Sequence, residues 1–341
     1  MRRIVLDPPR MALEEIGFSR ARAAVGRGVG ARTLDRRAPL AASAVASERR
    51  RPLFHPRRGW FRRLERALAQ FLAGKVYPGI PGISRPYATQ LRRDLTLSEA
   101  EIVLPGLGPV FDGTRVLLIT DVHAGPFLSP PALERAFDRL LGTQPDLVLL
   151  GGDLVTSHVH DLARFRDAFR LLRAPLGTWA VLGNHEHYTR DLPGVEAEMA
   201  AAGIRLLRDA WTPIEVDGER FALAGVDDSL LGRPDLDRAL EGAPRPVVLL
   251  SHNPDLLFEA ARCGVSLMLS GHTHAGQIRV PGLPVLVRQS RYRLDEGRYR
   301  AGATELVVSR GLGAVGLPWR HACPPEAVLL RLRAAVMAVS G

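Results

Sequence analysis

Five short apolar runs, spread over roughly 150 positions, each close on residues that can hold a cation or move a proton. Arg115–Thr120 leads into Asp121 and His123, Asp146–Leu150 into Asp153, and Thr178–Leu182 into Asn184 and His185. Val247–Leu250 leads into His252, and Ser266–Leu269 into His272 and His274. Short unbroken apolar runs bounded by glycine and polar residues read as buried strands. Helical stretches at 130–141 and 160–173 separate the first three, the former opening on Ser129-Pro130-Pro131, a helix-start signal. Strand–helix–strand alternation predicts parallel βαβ units. In open sheets of that kind, ligands gather outside the carboxyl ends of the strands. The five ends therefore carry two Asp, one Asn and five His toward one edge.

Such a set suits two-metal hydrolysis. Two cations about 3.5–4 Å apart clamp the attacking and leaving oxygens of an in-line displacement and acidify a shared water. Mixed imidazole and carboxylate ligands favour Mn, Fe, Zn, Co or Ni over Mg or Ca, which prefer oxygen alone. Within Ser270–Gln277 the two histidines stand two apart. Residues i and i+2 of a strand share a side. If strand geometry persists past Leu269, His272 and His274 reach one small volume.

Further strands are expected at Glu101–Leu104, Phe221–Val226, Glu305–Val308 and Ala327–Leu330, with a helix at 192–203. Two packed sheets with helices outside accommodate this count. The 341 residues, 46% hydrophobic and 24% charged, suffice for one such core plus an appendage.

The net charge of +10 is unevenly placed. Residues 1–110 hold 21 Lys/Arg against 9 Asp/Glu, and residues 111–341 hold 25 against 27. A basic N-terminal third points to an anionic partner, a membrane surface or nucleic acid. Residues 1–59 form an Arg-, Ala- and Pro-rich extension without periodicity, and disorder is expected there. In residues 60–75, Trp60, Phe61, Leu64, Leu68, Phe71 and Leu72 recur at helical spacing against Arg62, Arg63 and Arg66. That is an amphipathic helix of the kind that lies in a membrane interface or packs on a domain. Gly79-Ile80-Pro81-Gly82 reads as a linker, so residues 60–99 are expected to be helix and linker, and 100–341 the catalytic domain. No run approaches the about 20 apolar residues of a membrane span. No secretory h-region follows Arg2 and Arg3, and Cys263 and Cys323 form no disulfide framework. The location expected from these features is cytoplasmic, with peripheral attachment to the inner membrane face.

The blocks Asp121-Val122-His123, Gly151-Gly152-Asp153, Gly183-Asn184-His185-Glu186, His252 and Gly271-His272-Thr273-His274 resemble, in order and spacing, those of the calcineurin-like metallophosphoesterase superfamily. The resemblance covers about residues 112–335 and implies a four-layer αββα sandwich, here behind a basic extension. It also implies that Asp121, His123 and His274 bind one metal and Asn184, His252 and His272 the second, with Asp153 bridging and His185 assisting the leaving oxygen. Gly271–Gln277, Ser309–Gly313 and Gly316–Arg320 further resemble YaeI/YkuE-like phosphodiesterases, although Ala275 stands where that group usually carries Gly. Some relatives cleave UDP-2,3-diacylglucosamine, a lipid A precursor, so this subgroup implies a phosphodiester or pyrophosphate substrate of amphiphilic character. Arg310 and Arg320 are candidates for substrate phosphate contacts, because a guanidinium matches phosphate oxygens bidentately. The alternatives are a nuclease or cyclic-nucleotide phosphodiesterase on the same fold and, from another class, an inactive binding scaffold.

Overall fold

Strand alternation sets the layering. The computed structural model describes residues 11–16, 71–285 and 287–335. In chain order its strands are β1 (Leu13–Glu15), β2 (Thr96–Leu104), β3 (Arg115–Ile119), β4 (Leu147–Leu150), β5 (Thr178–Ala180) and β6 (Arg205–Leu206). There follow β7 (Ala210–Val216), β8 (Glu219–Gly225), β9 (Val247–Leu250), β10 (Leu267–Ser270), β11 (Gly297–Ala301), β12 (Thr304–Val308) and β13 (Glu326–Ala334). Val116 and Leu118 of β3 join Leu147, Leu149, Leu223, Val248, Leu250, Leu267, Leu269 and Val307 in a core between two sheets. The alternate residues Leu117, Ile119, Val148 and Leu150 face outward onto Phe137, Phe165 and Phe169. On the other sheet, Ala222, Leu249, Met268 and Leu306 face outward onto Leu257 and Ala260. Successive side chains of a strand point to opposite faces, so these runs are apolar throughout because both faces are covered.

One sheet has the order β2-β13-β3-β4-β5-β6 and the other β1-β11-β12-β10-β9-β8-β7. Strands β3, β4 and β5 run parallel, as do β8, β9, β10 and β12. The helices are α1 (Arg85–Asp94), α2 (Pro130–Leu141), α3 (Val159–Arg170), α4 (Asn184–Tyr188), α5 (Leu192–Ala201), α6 (Leu236–Leu240) and α7 (Leu257–Arg262). The αββα architecture is thus present, and α2 spans the residues its periodicity predicts.

The N-terminal boundaries differ from those expected. Residues 85–99 are not a linker. Tyr87, Leu91 and Leu95 of and after α1 are buried at helical spacing against the first sheet's outer core, and β2 begins at Thr96. Part of the expected disordered extension is a strand, since β1 pairs antiparallel with β11. Of the expected helix at 60–75, residues 60–70, including Trp60, Phe61, Leu64 and Leu68, lie outside the described residues, as does most of the 1–59 extension. Leu72–Val76 forms a short π-helical turn. Among the described residues, no helix is long and apolar enough to cross a membrane.

Candidate metal centre

The parallel strands end at one edge, and the chain turns sharply there. Asp121, His123 and Asp153 follow β3 and β4 with φ of 52°, 49° and 52°, and His272 and His274 follow β10 with φ of 71° and 49°. Positive φ is costly for residues other than glycine and persists where surrounding structure imposes it, typically at functional sites. It also corrects the strand-geometry expectation. Strand β10 stops at Ser270, and His272 and His274 diverge to different neighbours. His274 joins Asp121 and His123, whereas His272 joins Asp153 and His252. The turns need small neighbours. Gly152 has φ +85°, and a Cβ there would lie 2.8 Å from His252 Nδ1. A Cβ on Gly271 would lie 2.2 Å from Asp121 Oδ2.

His123 Nε2 lies 2.9 Å from His274 Nε2 and 3.8 Å from Asp153 Oδ2. His274 Nε2 is 3.5 Å from Asp121 Oδ1. On the other side of Asp153, its Oδ2 is 3.2 Å from His252 Nε2, which lies 3.1 Å from His272 Nδ1. His252 Nδ1 meets the Gly151 carbonyl at 2.8 Å, which fixes the ring. The backbone N–H of His272 donates to both Asp121 oxygens at 3.0 and 3.1 Å, tying the two halves together.

Burial dominates the electrostatics. It holds the His123 and His274 imidazoles well below the usual histidine range, helped by the His185 and His123 charges respectively. Burial and then the His252 charge bring His272 down to about 3. Burial pushes Asp121 up to about 6, with the Asp153 charge adding and the His252 charge opposing. Burial would also raise Asp153, but the charges of His252 and His185 outweigh it and hold the carboxyl well below its usual range. Conversely, burial would lower His252, yet Asp153 holds it well above. Neutral buried imidazoles and an ionised carboxylate are what a divalent cation requires, and a cation competes with the proton on His252.

His185 is placed differently. Its backbone N–H donates to Asp153 Oδ1 at 2.8 Å and its Nδ1 meets the Thr156 carbonyl at 2.5 Å. Its Nε2 lies 4.0 Å from Asp153 Oδ2, and its side chain is 15% exposed where that of Asp153 is 3% exposed. The ring stands edge-on to His123 and Tyr188.

Two positions of the sequence reading change role. Arg320 is not available to a substrate, since it is buried. Its Nε donates to the Gly313 carbonyl at 2.7 Å, and its Nη2 to the Arg310 carbonyl at 2.8 Å and His274 Nδ1 at 2.9 Å. Arg310 donates through Nη2 to Glu326 at 2.8 Å and Thr96 at 3.1 Å. Both guanidiniums are therefore engaged within the protein, where they brace the loop behind Asp121.

Glu186, which closes the Gly183–Glu186 block, packs beside the site rather than facing it. Its carboxylate is fully buried and accepts four backbone N–H groups: Gly183 at 2.7 Å, Leu154 at 2.7 Å, Asp153 at 2.9 Å and Val155 at 3.1 Å. It clamps the β4 end, which carries Asp153, to the β5 end, which carries Asn184 and His185. The signal was present as the glutamate three residues beyond Gly183, a capping-box spacing. His187 Nε2 meets Asp227 Oδ1 at 2.7 Å, and Asp227 also accepts the backbone N–H of Asp228 at 2.8 Å. His158 is half-buried and His160 exposed, both at the N-terminal end of α3.

A family model described as calcineurin-like phosphoesterase matches residues 114–276. The metallophosphoesterase YkuE of Bacillus subtilis (strain 168) is 30% identical over 230 residues, covering 65% of this chain and 80% of that protein. The phosphodiesterase YaeI of Escherichia coli (strain K12) is 32% identical over 230 residues, covering 64% of this chain and 82% of its own.

This chain is a calcineurin-like metallophosphoesterase.

A third relative, the transmembrane protein with metallophosphoesterase domain of Danio rerio, is 31% identical over 252 residues. The match covers 70% of this chain and 57% of that protein, little more than half its length. As a metallophosphoesterase, the protein is a hydrolase of phosphoric esters that uses two divalent metals. The residues present fit that demand. The Asp/His clusters Asp121–His123–His274 and Asp153–His252–His272 each offer ligand atoms within 4.8 Å of one another. Asn184 Oδ1, buried next to His185, has no hydrogen-bond partner. A buried amide oxygen without a donor is costly unless a ligand satisfies it.

Proposed function

We propose that this metallophosphoesterase hydrolyses a phosphodiester or pyrophosphate. In this reading Asp121, His123 and His274 hold one cation, Asn184, His252 and His272 the other, and Asp153 is shared. The observation that carries it is the meeting of both clusters on Asp153 Oδ2, with His123 Nε2 at 3.8 Å and His252 Nε2 at 3.2 Å. When bound, the two cations supply Lewis-acid stabilisation of phosphoryl charge and water acidified to near neutral pH.

The chain's own groups supply the remainder. The Thr156 carbonyl accepts the His185 Nδ1–H, so Nε2 is the atom that exchanges a proton. A protonated Nε2 delivers that proton to the departing oxygen, and the ring's partial exposure lets a substrate reach it. Glu186 keeps Asp153 and His185 in register, and Arg320 keeps the loop behind Asp121 in place.

We read the substrate as amphiphilic, of the UDP-2,3-diacylglucosamine type, and the protein as peripheral on the inner membrane face. The basic N-terminal third supports this, as does the membrane location named for the Danio rerio relative. The test is to assay the Mn²⁺-loaded protein side by side on a diester, a monoester and UDP-diacylglucosamine. His185→Ala is expected to lower diester turnover by about 10²–10⁴-fold with both cations retained. Unchanged turnover in that variant, or a preference for the monoester, would overturn the reading.

A further inference from the structure

Thirteen large hydrophobic side chains are exposed among the described residues, and eight of them lie on three segments: Phe71, Val76 and Ile80; Val280, Leu283 and Val287; Leu317 and Trp319. The segments are tied to one another. Tyr77 Oη donates to the Gly316 carbonyl at 2.9 Å. Gln277 Nε2 donates to the Val315, Leu317 and Trp319 carbonyls at 2.9, 3.3 and 3.2 Å, and Gln277 Oε1 accepts from Val315 N–H at 2.9 Å. Arg279 N–H donates to the His321 carbonyl at 2.9 Å, and His321 N–H to the Gln277 carbonyl at 3.0 Å. Val285 packs on Gly276, where an added Cβ would lie 2.5 Å from its Cγ1. The stem that bears the second and third segments therefore begins three residues from His274, beside the metal centre.

Charge follows the same segments. Residues 71–93, 277–294 and 311–321 contain nine Lys/Arg and no Asp or Glu. Asp94, Asp255, Glu296 and Asp295 offset Arg93, Arg291, Arg279 and Arg288, and Arg320 is buried, which leaves Lys75, Arg85, Arg92 and Arg293 as the basic excess of these segments. The apolar tips of the second and third segments sit on Gly/Pro turns rather than on a flat face, and the most prominent of all three segments are Val287 at 62%, Phe71 at 58% and Leu283 at 54% exposure, with Trp319 at 46%. Separate apolar tips, one of them tryptophan, within a basic field match the interface of an anionic bilayer, where aromatic rings sit at headgroup level and Lys/Arg meet lipid charge.

We infer that the turns bearing Val280, Leu283, Val287, Leu317 and Trp319, together with Phe71 and Val76, form a docking surface for an anionic lipid membrane at the rim of the metal centre. It deepens the amphiphilic-substrate reading and rests on it only for the reaction carried out beside the surface. Docking there would bring the metal centre to headgroup level and hold the bilayer against residues outside the catalytic set.

The test uses the full chain and vesicles of phosphatidylglycerol and phosphatidylcholine at 0.1 M salt. Wild-type protein is expected to sediment with anionic vesicles and to leave phosphatidylcholine vesicles largely unbound. Leu283→Gln/Trp319→Gln is expected to partition at least about tenfold more weakly, while soluble diester turnover stays at the wild-type value. As a check independent of that variant's folding, brominated lipid should quench tryptophan emission in a Trp60→Phe background, and most of that quenching should vanish when Trp319→Phe is added. Equal sedimentation of wild type and variant, equal binding to neutral vesicles, or quenching unaffected by Trp319→Phe would overturn the inference. So would light scattering that shows a wild-type dimer becoming a monomer in the double variant, since the occupant would then be a second copy. Absent diester turnover in wild type would instead defeat the catalytic reading and leave the vesicle result standing.

Discussion

Replacing Glu186 with Gln tests whether one buried carboxylate holds the centre together. In the native protein Oε1 accepts from Leu154 and Val155, and Oε2 from Asp153 and Gly183. A glutamine of the same size keeps one oxygen, which serves one pair, and turns an NH₂ group toward the other pair. Two buried backbone donors then lose their acceptor. At about 1–3 kcal/mol for each unsatisfied buried donor, the expected loss is about 2–6 kcal/mol. That is a large part of the about 5–15 kcal/mol that holds a typical domain folded. The charge adds a second sign. Burial, with Asp153 repulsion adding, raises the Glu186 pKa, so the neutral amide relieves some repulsion and the loss should fall toward the lower half of the range. Urea unfolding at pH 7.5, fitted with a common slope, reads the difference directly. Metal content should fall in parallel, because Asp153 and Asn184 sit on the two segments that Glu186 joins. A loss under about 1 kcal/mol with full metal content would refute the clamp.

Three further outcomes follow. Arg320→Lys should cost about 2–4 kcal/mol, because an ammonium cannot serve the Gly313 and Arg310 carbonyls and His274 with one planar fork. Thermal unfolding of the cation-free chain checks this, and an unchanged midpoint would contradict it. The raised Asp121 pKa means that the folded cation-free chain holds that proton more tightly than the unfolded chain. Its contribution to stability is full below the unfolded value of about 3.9 and is lost as pH rises through about 6. A cation needs the carboxylate, so the rise in melting temperature on adding Mn²⁺ should grow from pH 5 to pH 7, and a flat increment would count against the assignment. Ala275 is buried at φ 48°, so Ala275→Gly should change stability by no more than about 1 kcal/mol and keep diester turnover, as read by unfolding and by rate.

The parallel strands were legible because burial on both faces leaves them apolar throughout, and the polar groups that follow stand at their carboxyl ends. Strands β6, β7 and β11 were harder to see. Strand β7 carries Pro213 and alternates partly exposed residues, and β11 is Gly-Arg-Tyr-Arg-Ala, so neither has an unbroken apolar run. Helix α1 escaped because two buried residues, Tyr87 and Leu91, sit among arginines behind a Pro/Gly stretch. The Asp/His set was readable by type and spacing, and the family resemblance implied the split of His272 from His274, but that split rests on left-handed backbone at both positions, which residue identity alone does not encode. Arg310 and Arg320 looked like phosphate contacts because guanidinium chemistry is the same inside and out. Only packing reveals that Glu326 and three backbone or ring acceptors already engage them.

Metal stoichiometry joined to turnover tests the central claim most directly. The chain is loaded with Mn²⁺, desalted, and measured for metal by mass spectrometry and for diester hydrolysis, beside Asp153→Asn. Two metals per wild-type chain with diester turnover, and loss of both in the variant, are the predicted result. Turnover by a wild-type chain that holds fewer than two metals, or two retained metals with full turnover in Asp153→Asn, would contradict a dinuclear centre shared across Asp153.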